Sequence, residues 1–503
     1  MAISRNGGVL RRLPLLLALV AAVLSASPAG ACAADCQHLG GATISDNQHF
    51  RRWDFLRHRS DRLSIFGGPS ASPPSLPPPP PSISISHSRI FHVTDYGADP
   101  TGATDSSPAI SRAISDAFNY SSGLQLMPGI PNLGGAEIHL DGGVYLLNSP
   151  ITFPSTGGNI KIHGGSLRAS DDFPANRYII ELQSYSPSSG ISPSAYHYEF
   201  VTLSGLMLDA NFRGGGIAVV NSLRTLIDGC YIVHFTSDGI YVHGGHETFI
   251  RSSFLGQYIT AGGDHREKTF SGTGIRLMGN DNSVTDVVIF SAETGILIAG
   301  AANTITGVHC YNKATAWGGV GIHVKVAGRS QTRILNSYMD FTGILAEDPV
   351  QLVIAGCYFL GNARVTLRSV NGVMRGVNIV DNIFSGSGYG VDIVGLDESS
   401  KRFVVVDGVV VERNSVEGMR LRSTAATASV EGKGTTWTVD FSSVLLFENR
   451  IDQMQYTLAP AESTFTNHAL RNVSDNRVVI VSSAAVRATV HVSVSQSMNF
   501  LKA

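Results

Sequence analysis

The chain has 503 residues, of which 43% are hydrophobic and 15% charged, so its composition permits a large buried core. Its 54 glycines, and apolar runs that are short of lysine and glutamate, favour many strands and tight turns over helix bundles. The formal net charge of -2 excludes the global positive field that favours nucleic-acid binding, so any attraction for an acidic substrate must come from a local cleft.

The N-terminus has the pattern of a secretory signal peptide. Arginines form its basic start, the run Leu13–Leu24 is apolar, and small residues precede a predicted cleavage point near Ala31. The apolar run is shorter than the about 20 residues that a membrane-spanning helix requires. We therefore predict that residues 1–31 are removed, and that the protein is secreted to the extracellular space or cell wall without further membrane contact. Secretion makes the sequons at Asn119 and Asn472 candidate glycosylation sites.

Residues 32–88 differ in composition from the rest of the chain. A basic and aromatic stretch is followed by the proline-rich segment GGPSASPPSLPPPPP, which favours an extended backbone without a packed core. We predict a poorly ordered lead-in here. From Arg89 the pattern becomes globular, and cap-type residues at Asp105 precede apolar residues at helical spacing, such as Ile110 and Ile114. This spacing predicts an N-terminal amphipathic helix that caps one end of a long core.

The most informative feature is an internal repeat centred on glycine. Segments such as GGGIAV, SDGIYV, GTGIRL, ETGILI and FTGILA recur, and the steps between their key glycines are about 23, 35, 21, 26 and 22 residues. A second ladder of short strands interleaves with the first. Such a repeat could not bury its apolar side alone, so stacking predicts an all-β fold, a right-handed parallel β-helix. The key glycines are Gly216, Gly239, Gly274, Gly295, Gly321 and Gly343.

Two other all-β architectures fit the repeat less well. A β-propeller needs four strands and about 40 or more residues in each blade. A sandwich needs evenly spaced antiparallel hairpin signals, which are not prominent. The β-helix is therefore predicted over residues 89–425. After about Ala425 the coil repeat fades, and residues 426–503 are predicted to form a C-terminal β region that caps the β-helix or packs as a small sheet.

The cysteines do not suggest a disulfide-rich scaffold. Those of the second ladder each lie beside an aromatic residue, and by repeat count they are never in adjacent coils. Two coils already separate such positions by about 9–10 Å, which is beyond disulfide reach. We predict that Cys230, Cys310 and Cys357 are buried free thiols that pack as small apolar groups.

The repeat predicts which side chains point outward near Asp238, the residue before Gly239. Residues at positions +1 and +3 from each key glycine point into the core, whereas those at +2 and +4 point out. The step from Gly239 to Gly274 is about a dozen residues longer than its neighbours, and long insertions on one face of a solenoid usually shape a binding surface. The insertion contains Asp264, His265, Arg266, Glu267 and Lys268. The +2 positions are Tyr241, Arg276, Leu297, His323 and Leu345, and the +4 positions include His243, Met278, Lys325 and Glu347.

Carboxylates flanked by cations and an aromatic ring suit an acidic polysaccharide as substrate. One acid with a raised pKa would protonate the glycosidic oxygen and another would activate water, while cations would bind the sugar carboxylates. The bland interpretation is that Asp238 is an ordinary turn residue beside glycine and that Arg276 and Lys325 are solvated. The convergence of these groups on one face favours a substrate site. The predicted catalytic residues are Asp238 and Asp264, and the predicted substrate-binding residues are Tyr241, His265, Arg266, Lys268, Arg276, His323 and Lys325.

The histidines near Asp238 do not predict a metal site. Ligand spacing is not persuasive for any pair among His234, His243, His246 and His265. We therefore predict no metal and no cofactor for this protein. A monomer is expected.

Several of these segments resemble those of a known family. FHVTDYGADPTGATDSSPAI is similar to the opening of pectin-lyase-like β-helix proteins. TSDGIYVHGGHETFIRSSFLG, GVHCYNKATAWGG and RNVSDNRVVI resemble the quartet-type plant polygalacturonases. The resemblance runs from Phe91 to the C-terminus. It implies a secreted, inverting glycoside hydrolase that cleaves the α-1,4-galacturonosyl backbone of pectin, and a role in degrading the pollen mother cell wall and separating microspores.

The wider polygalacturonase family has the motifs N-T-D, G-D-D, G-H-G and R-I-K, and this chain keeps part of that pattern. TSDGI retains Asp238, and GGDH retains Asp264 but has His265 in place of the second aspartate. GIHVK retains Lys325 but has His323 in place of arginine. The G-H-G motif does not occur in the sequence, and ETGI occupies the comparable repeat.

The catalytic roles follow from the retained positions. The resemblance implies Asp264 as the general acid and Asp238 as the base that activates water, with the reverse assignment open and with Glu267 and Glu293 as reserve carboxylates. Two other activities stay open. A pectate-lyase-type eliminase would use an arginine such as Arg276 as its base, usually with Ca²⁺, for which the sequence offers no acidic cluster. A degenerate β-helix could instead bind wall polysaccharide without catalysis.

Overall fold

A computed structural model describes most of the chain from Arg89 onward. The predicted signal peptide and lead-in, residues 1–88, lie outside the described residues, and so does the charged segment 258–270. Within the described part of the chain, no helix combines the length and the apolar character that crossing a membrane requires. The described residues are 89–119, 122–154, 156–183, 196–257, 271–312, 317–326, 328–388, 390–463 and 465–496.

A helix closes one end of the core, as the sequence predicts. A short 3-10 helix spans Val93–Tyr96, and an α-helix spans Ser107–Asn119. Asp105 starts the α-helix, because its Oδ1 accepts a hydrogen bond from the backbone N–H of Ser107 at 3.0 Å. The apolar face, which includes Ile110, is buried and packs against the first strands of the solenoid. The predicted N-terminal capping helix is confirmed.

One face of the solenoid is a ten-stranded parallel sheet. Its strands are hydrogen-bonded neighbours although the chain leaves the sheet and returns between them, which is the topology of stacked coils. In chain order its strands are Ile151–Thr152, Tyr178–Leu182, Gly215–Val220, Asp238–His243, Ser271–Leu277, Ala292–Ile298, Val320–Val324, Ile344–Glu347, Val365–Arg368 and Val394–Asp397.

The remaining faces of the solenoid form a 23-stranded sheet, in which only Gln125–Met127 pairs antiparallel within the described chain. Long early strands contribute to both of its ladders of short strands. Its strands are Ile90–His92, Gln125–Met127, Ile130–His139, Val144–Leu147, Gly157–Ala169, Tyr198–Asp209, Ser222–Leu223, Leu226–Asp228, Tyr231–Val233, Phe249–Arg251, Phe254–Gly256, Ser283–Thr285, Val288–Phe290, Thr304–Thr306, His309–Tyr311, Arg333–Leu335, Tyr338–Asp340, Val353–Ala355, Tyr358–Leu360, Asn378–Val380, Ile383–Ser385, Val410–Glu412 and Ser415–Glu417. A separate parallel pair is Val373–Arg375 with Val405–Asp407.

Stacked isoleucines form the centre of the solenoid. Like positions of neighbouring strands lie about 4.8 Å apart, so each inward residue packs on its register partner above and below. The repeat glycine lets the coils approach, because a Cβ on Gly239 would lie 2.6 Å from the Gly274 carbonyl oxygen and 2.8 Å from the Leu255 side chain. The predicted parallel β-helix is confirmed. One fully buried inward column is Ile217, Ile240, Ile275, Ile296 and Ile322.

The three described cysteines are buried and free, as predicted. Burial raises the pKa of Cys230 and Cys357 to about 11 and the pKa of Cys310 to about 12. A thiol with such a pKa stays protonated at physiological pH, so these side chains are unreactive packing groups.

The C-terminal part of the described chain is a four-stranded antiparallel sheet with its own apolar cluster. Its longest strand, Arg477–Ser495, pairs with each of the other three. Trp437, Val478 and Val490 lie in the buried cluster. The predicted C-terminal β region is confirmed. The other strands are Ala425–Asp440, Gln453–Pro460 and His468–Ser474.

Candidate active site

The ten-stranded sheet aligns the predicted outward side chains in one column. Each member is the register partner of the next, and most of them are partly exposed, whereas the residues on either side along each strand are buried. Glycine spacing alone therefore predicts the register of this face correctly. The column consists of Tyr241, Arg276, Leu297, His323 and Leu345.

Asp238 begins the strand Asp238–His243 and lies beside this column. Only 4% of the residue is exposed, yet both of its carboxylate oxygens have a strong donor. Arg276 on the next strand donates from Nε to Oδ1 at 2.8 Å, and the hydroxyl of Tyr178 donates to Oδ2 at 2.8 Å. The Arg276 side chain is 38% exposed, so it connects the buried carboxylate with the outer surface of the sheet. Asp238 is therefore a positioned group and not a solvated turn residue.

Tyr178 reaches Asp238 because the strand between them carries a glycine. Tyr178 is the register partner of Gly215, which lies one strand before Asp238. A Cβ on Gly215 would lie 2.4 Å from the Tyr178 ring and 2.5 Å from the Asp238 carbonyl oxygen. Burial, followed by the charge of Asp238, raises the pKa of the Tyr178 hydroxyl, so it remains a protonated donor. The sequence did not predict this contact.

A second ion pair holds Tyr178 in place. Glu181 is fully buried and accepts hydrogen bonds from Arg177 Nε at 2.9 Å and Arg177 Nη2 at 2.5 Å. The same carboxylate accepts the backbone N–H of Tyr178 at 2.9 Å. A paired carboxylate beneath the tyrosine fixes the start of its strand. The sequence signal that would have identified this group is the acid within the apolar run YIIEL.

Three stacked rings form a strip beside the Asp238 carboxylate. Tyr178 and Tyr241 are stacked with centroids 6.0 Å apart and an interplanar angle of 16°, and Tyr241 stacks on His243 at 5.9 Å and 17°. The outer ring, His243, is exposed. Such a strip offers an apolar surface next to the charged Arg276 and Asp238 pair.

His323 belongs to a separate cluster farther along the sheet. Its Nε2 lies 3.0 Å from Glu347 Oε1, and Arg368 Nη1 lies 3.8 Å from the same oxygen. Burial lowers the pKa of His323, although the hydrogen bond and charge of Glu347 oppose the shift. Leu297 lies between His323 and Arg276 in the register, so the two clusters are two strands, or about 10 Å, apart.

Comparison with known proteins identifies the family of this chain. The family model described as Rhamnogalacturonase A/epimerase, pectate lyase-like matches residues 90–323. Polygalacturonase QRT3 of Arabidopsis thaliana is 56% identical over 425 residues, which are 84% of this chain and 87% of that protein. The chain belongs to the quartet-type polygalacturonase family.

Solved structures that resemble this quartet-type polygalacturonase are distant in sequence. ORF18 of Geobacillus virus E2 has a TM-score of 0.52 at 12% identity, covering 82% of this chain and 79% of its own, and this likeness shows the fold. The endo-xylogalacturonan hydrolase of Aspergillus tubingensis has a TM-score of 0.45 at 14% identity, covering 66% of this chain and 95% of its own.

Several predicted site residues of the quartet-type polygalacturonase lie outside the described residues. They fall in the segment 258–270, and the structure describes the residues that flank this segment on either side. Gln257 Nε2 donates to the Ser271 carbonyl oxygen at 2.6 Å, and Thr273, two residues later, is the register partner of Asp238. The two described residues that flank this segment are therefore hydrogen-bonded to each other, and the second of them begins the strand that pairs with Asp238–His243. The residues without a described position are Asp264, His265, Arg266, Glu267 and Lys268.

The other predicted residues are placed on the surface. Lys325 is exposed and follows the strand Val320–Val324, and Glu293 is exposed near the start of Ala292–Ile298. Of the two sequons, Asn119 is exposed at the end of the α-helix. Asn472 is also exposed, and its Nδ2 donates to Ser474 Oγ at 2.9 Å. Both amides lie where a glycan would have room.

Proposed function

We propose that this chain is a polygalacturonase that hydrolyses the α-1,4-galacturonosyl backbone of pectin. The family relationship supports the reaction, since the relative that is 56% identical is named a polygalacturonase. The observation that carries the proposal is the buried Asp238 carboxylate, which is bonded to Tyr178 and to the partly exposed Arg276 of the ten-stranded sheet.

Asp238 is proposed as the base that activates water. A guanidinium and a hydroxyl donor hold its carboxylate, and they fix the position from which it would take a proton from water. Its general-acid partner is then proposed to be Asp264, which precedes Ser271 in the sequence by seven residues, and Ser271 begins the strand that pairs with Asp238–His243. An inverting reaction would place the two carboxyl groups about 6.5–9.5 Å apart, leaving room for water.

Substrate binding is proposed along the outward column. Arg276 is paired with the proposed base and is exposed enough to contact a uronate carboxylate as well. Tyr241 and His243 place their stacked rings on the same surface. Polymer lying along the column would next reach His323 and the exposed Lys325. The proposed loop residues His265, Arg266 and Lys268 would add cations from the segment beside Asp238.

Product analysis on de-esterified polygalacturonate tests the reaction. We expect the purified protein to release saturated oligogalacturonides with new reducing ends, and no ultraviolet absorbance from unsaturated sugars. An eliminase would produce that absorbance, and a binding protein would retain the polymer without releasing reducing ends. Either of those results would contradict the proposal.

The Tyr178→Phe variant tests how Asp238 is positioned. We expect kcat to fall about 10- to 100-fold, because a hydrogen bond to a charged group contributes about 1.5–3 kcal/mol. KM should change little, because phenylalanine keeps the ring against Tyr241. The matched control is Tyr358→Phe, whose ring stacks on Tyr338 at 4.7 Å on the 23-stranded sheet and should leave both constants unchanged. A rise in KM at constant kcat would mean that Tyr178 binds substrate instead.

Secretion, glycosylation and site of action are further parts of the proposal. The N-terminal signal pattern supports release to the cell wall, where the protein is proposed to act as a monomer. The exposed amides of Asn119 and Asn472 support glycosylation there. The family resemblance supports action on the wall that surrounds pollen mother cells. Mass analysis of protein from plant culture medium, before and after deglycosylation, should give an N-terminus beyond Ala31 and loss of glycan mass at both sequons.

A further inference from the structure

Three histidines form a ladder at the N-terminal end of the 23-stranded sheet. His92, His139 and His163 are register partners on the strands Ile90–His92, Ile130–His139 and Gly157–Ala169. The His92 and His139 ring centroids are 5.4 Å apart, and those of His139 and His163 are 4.6 Å apart. The proposed hydrolysis does not use these three imidazoles.

One carboxylate oxygen of Asp141 contacts both His92 and His139. Its Oδ1 lies 2.7 Å from Nδ1 of His92 and 2.5 Å from Nδ1 of His139. Among the residues that the structure describes, these side chains form the only group of three or more His, Cys, Asp or Glu residues whose potential metal-ligand atoms all lie within 4.8 Å of one another. The side chains are 27–45% exposed, so a solvated ion can reach them.

We propose that His92, His139 and Asp141 bind a divalent transition-metal ion, with Zn²⁺ as the reference ion. Two imidazole nitrogens and one carboxylate oxygen form a ligand set that zinc accepts, and water would complete the tetrahedron. The ion would replace the protons that now join the two rings to the carboxylate. It would connect the first described strand to the turn after Ile130–His139, and so tie the N-terminal end of the solenoid together.

The third rung of the ladder is not part of the ligand set. His163 Nε2 lies 2.9 Å from Glu137 Oε2, and Lys161 Nζ lies 4.0 Å from the same oxygen. The Glu137 carboxylate therefore has its own cationic and imidazole partners. The same geometry at His92 and His139 could also be a hydrogen-bonded cluster without metal, which is the alternative that the experiment must separate.

The test uses tag-free, full-length secreted protein treated with a chelator and then titrated with Zn²⁺ by calorimetry. We expect a single ion to bind, and Co²⁺ as a substitute probe to give the visible absorption of a four-coordinate site. His139→Ala and Asp141→Asn should each weaken Zn²⁺ binding at least about tenfold. Bound Zn²⁺ should raise the Tm of the wild type and not that of either variant.

The matched control is His246→Ala. His246 Nδ1 also pairs with an aspartate, Asp281, at 3.1 Å and with similar exposure, but this pair lacks a second imidazole ligand among the described residues. The control should bind Zn²⁺ as the wild type does. Circular dichroism and polygalacturonate hydrolysis check that every variant is folded. Equal Zn²⁺ affinity of the wild type and His139→Ala, or no binding by the wild type, would overturn the proposal in favour of a hydrogen-bonded cluster.

Discussion

Replacement of Asp238 with asparagine is expected to lower the rate of polygalacturonate hydrolysis by about 10²–10⁴-fold. Asparagine has nearly the shape of aspartate but cannot take a proton from water. Its amide oxygen can still face Arg276, and its amide N–H can donate to the Tyr178 hydroxyl, so the cluster keeps its geometry. Reducing-end release measures the loss in kcat, and an unchanged Tm shows that the fold is intact.

The control for this variant is Asp381→Asn. Asp381 pairs with Arg413 through the same two atom types, Oδ1 and Nε, at the same 2.8 Å, but at an exposed site away from the ten-stranded sheet. Its loss should leave hydrolysis unchanged, since a solvent-exposed ion pair contributes little to stability. Full activity in Asp238→Asn, or an equal loss in Asp381→Asn, would show that Asp238 is not the base.

Glycine spacing predicts the fold and the outward column because parallel coils repeat each position at the same height. Once Gly239 and Gly274 are aligned, the pairing of Tyr241 with Arg276 follows without any side-chain information. The position of Asp238 beside the column follows in the same way. This part of the site is a property of the backbone register, and the register is encoded in the repeat.

The hydrogen-bond partners of the site residues could not be predicted from the repeat, because these contacts join residues of different columns or of coils that are not adjacent. Tyr178 bonds Asp238 across 60 residues of sequence, and only the missing side chain of Gly215 leaves room for that bond. His323 and Glu347 were predicted to be outward at different positions of the repeat, yet their side chains meet diagonally on adjacent strands. Aligning the repeats predicts which residues share a column, but it does not predict contacts between residues of different columns.

Asp348 is a structural acid that the sequence analysis did not identify. It follows the strand Ile344–Glu347 and is completely buried. Its carboxylate accepts backbone N–H groups from the next coil: Oδ1 accepts those of Val370 and Gly372 at 3.1 Å and of Val373 at 3.2 Å, and Oδ2 accepts that of Asn371 at 2.5 Å. One side chain thus satisfies a whole turn of backbone donors.

We expect Asp348→Ala to lower the free energy of unfolding by about 3–5 kcal/mol, because buried backbone donors would lose their acceptor. Asp348→Asn should lose less, about 1–3 kcal/mol, since its amide oxygen can replace Oδ1 and keep the bonds from Val370, Gly372 and Val373. Urea titration followed by circular dichroism measures both values. The control, Asp228→Ala, removes an exposed pair with Arg251 and should cost at most about 1 kcal/mol.

The order of the two Asp348 variants separates two causes of stability. If hydrogen bonding to the turn dominates, the asparagine variant lies well above the alanine variant, because only the bond from Asn371 to Oδ2 is lost. If the negative charge dominates, the two variants are equally unstable, since both remove it. An alanine variant as stable as the wild type would mean that the turn at Val370–Val373 finds other acceptors, and that the coils of this solenoid do not depend on side-chain acceptors between them.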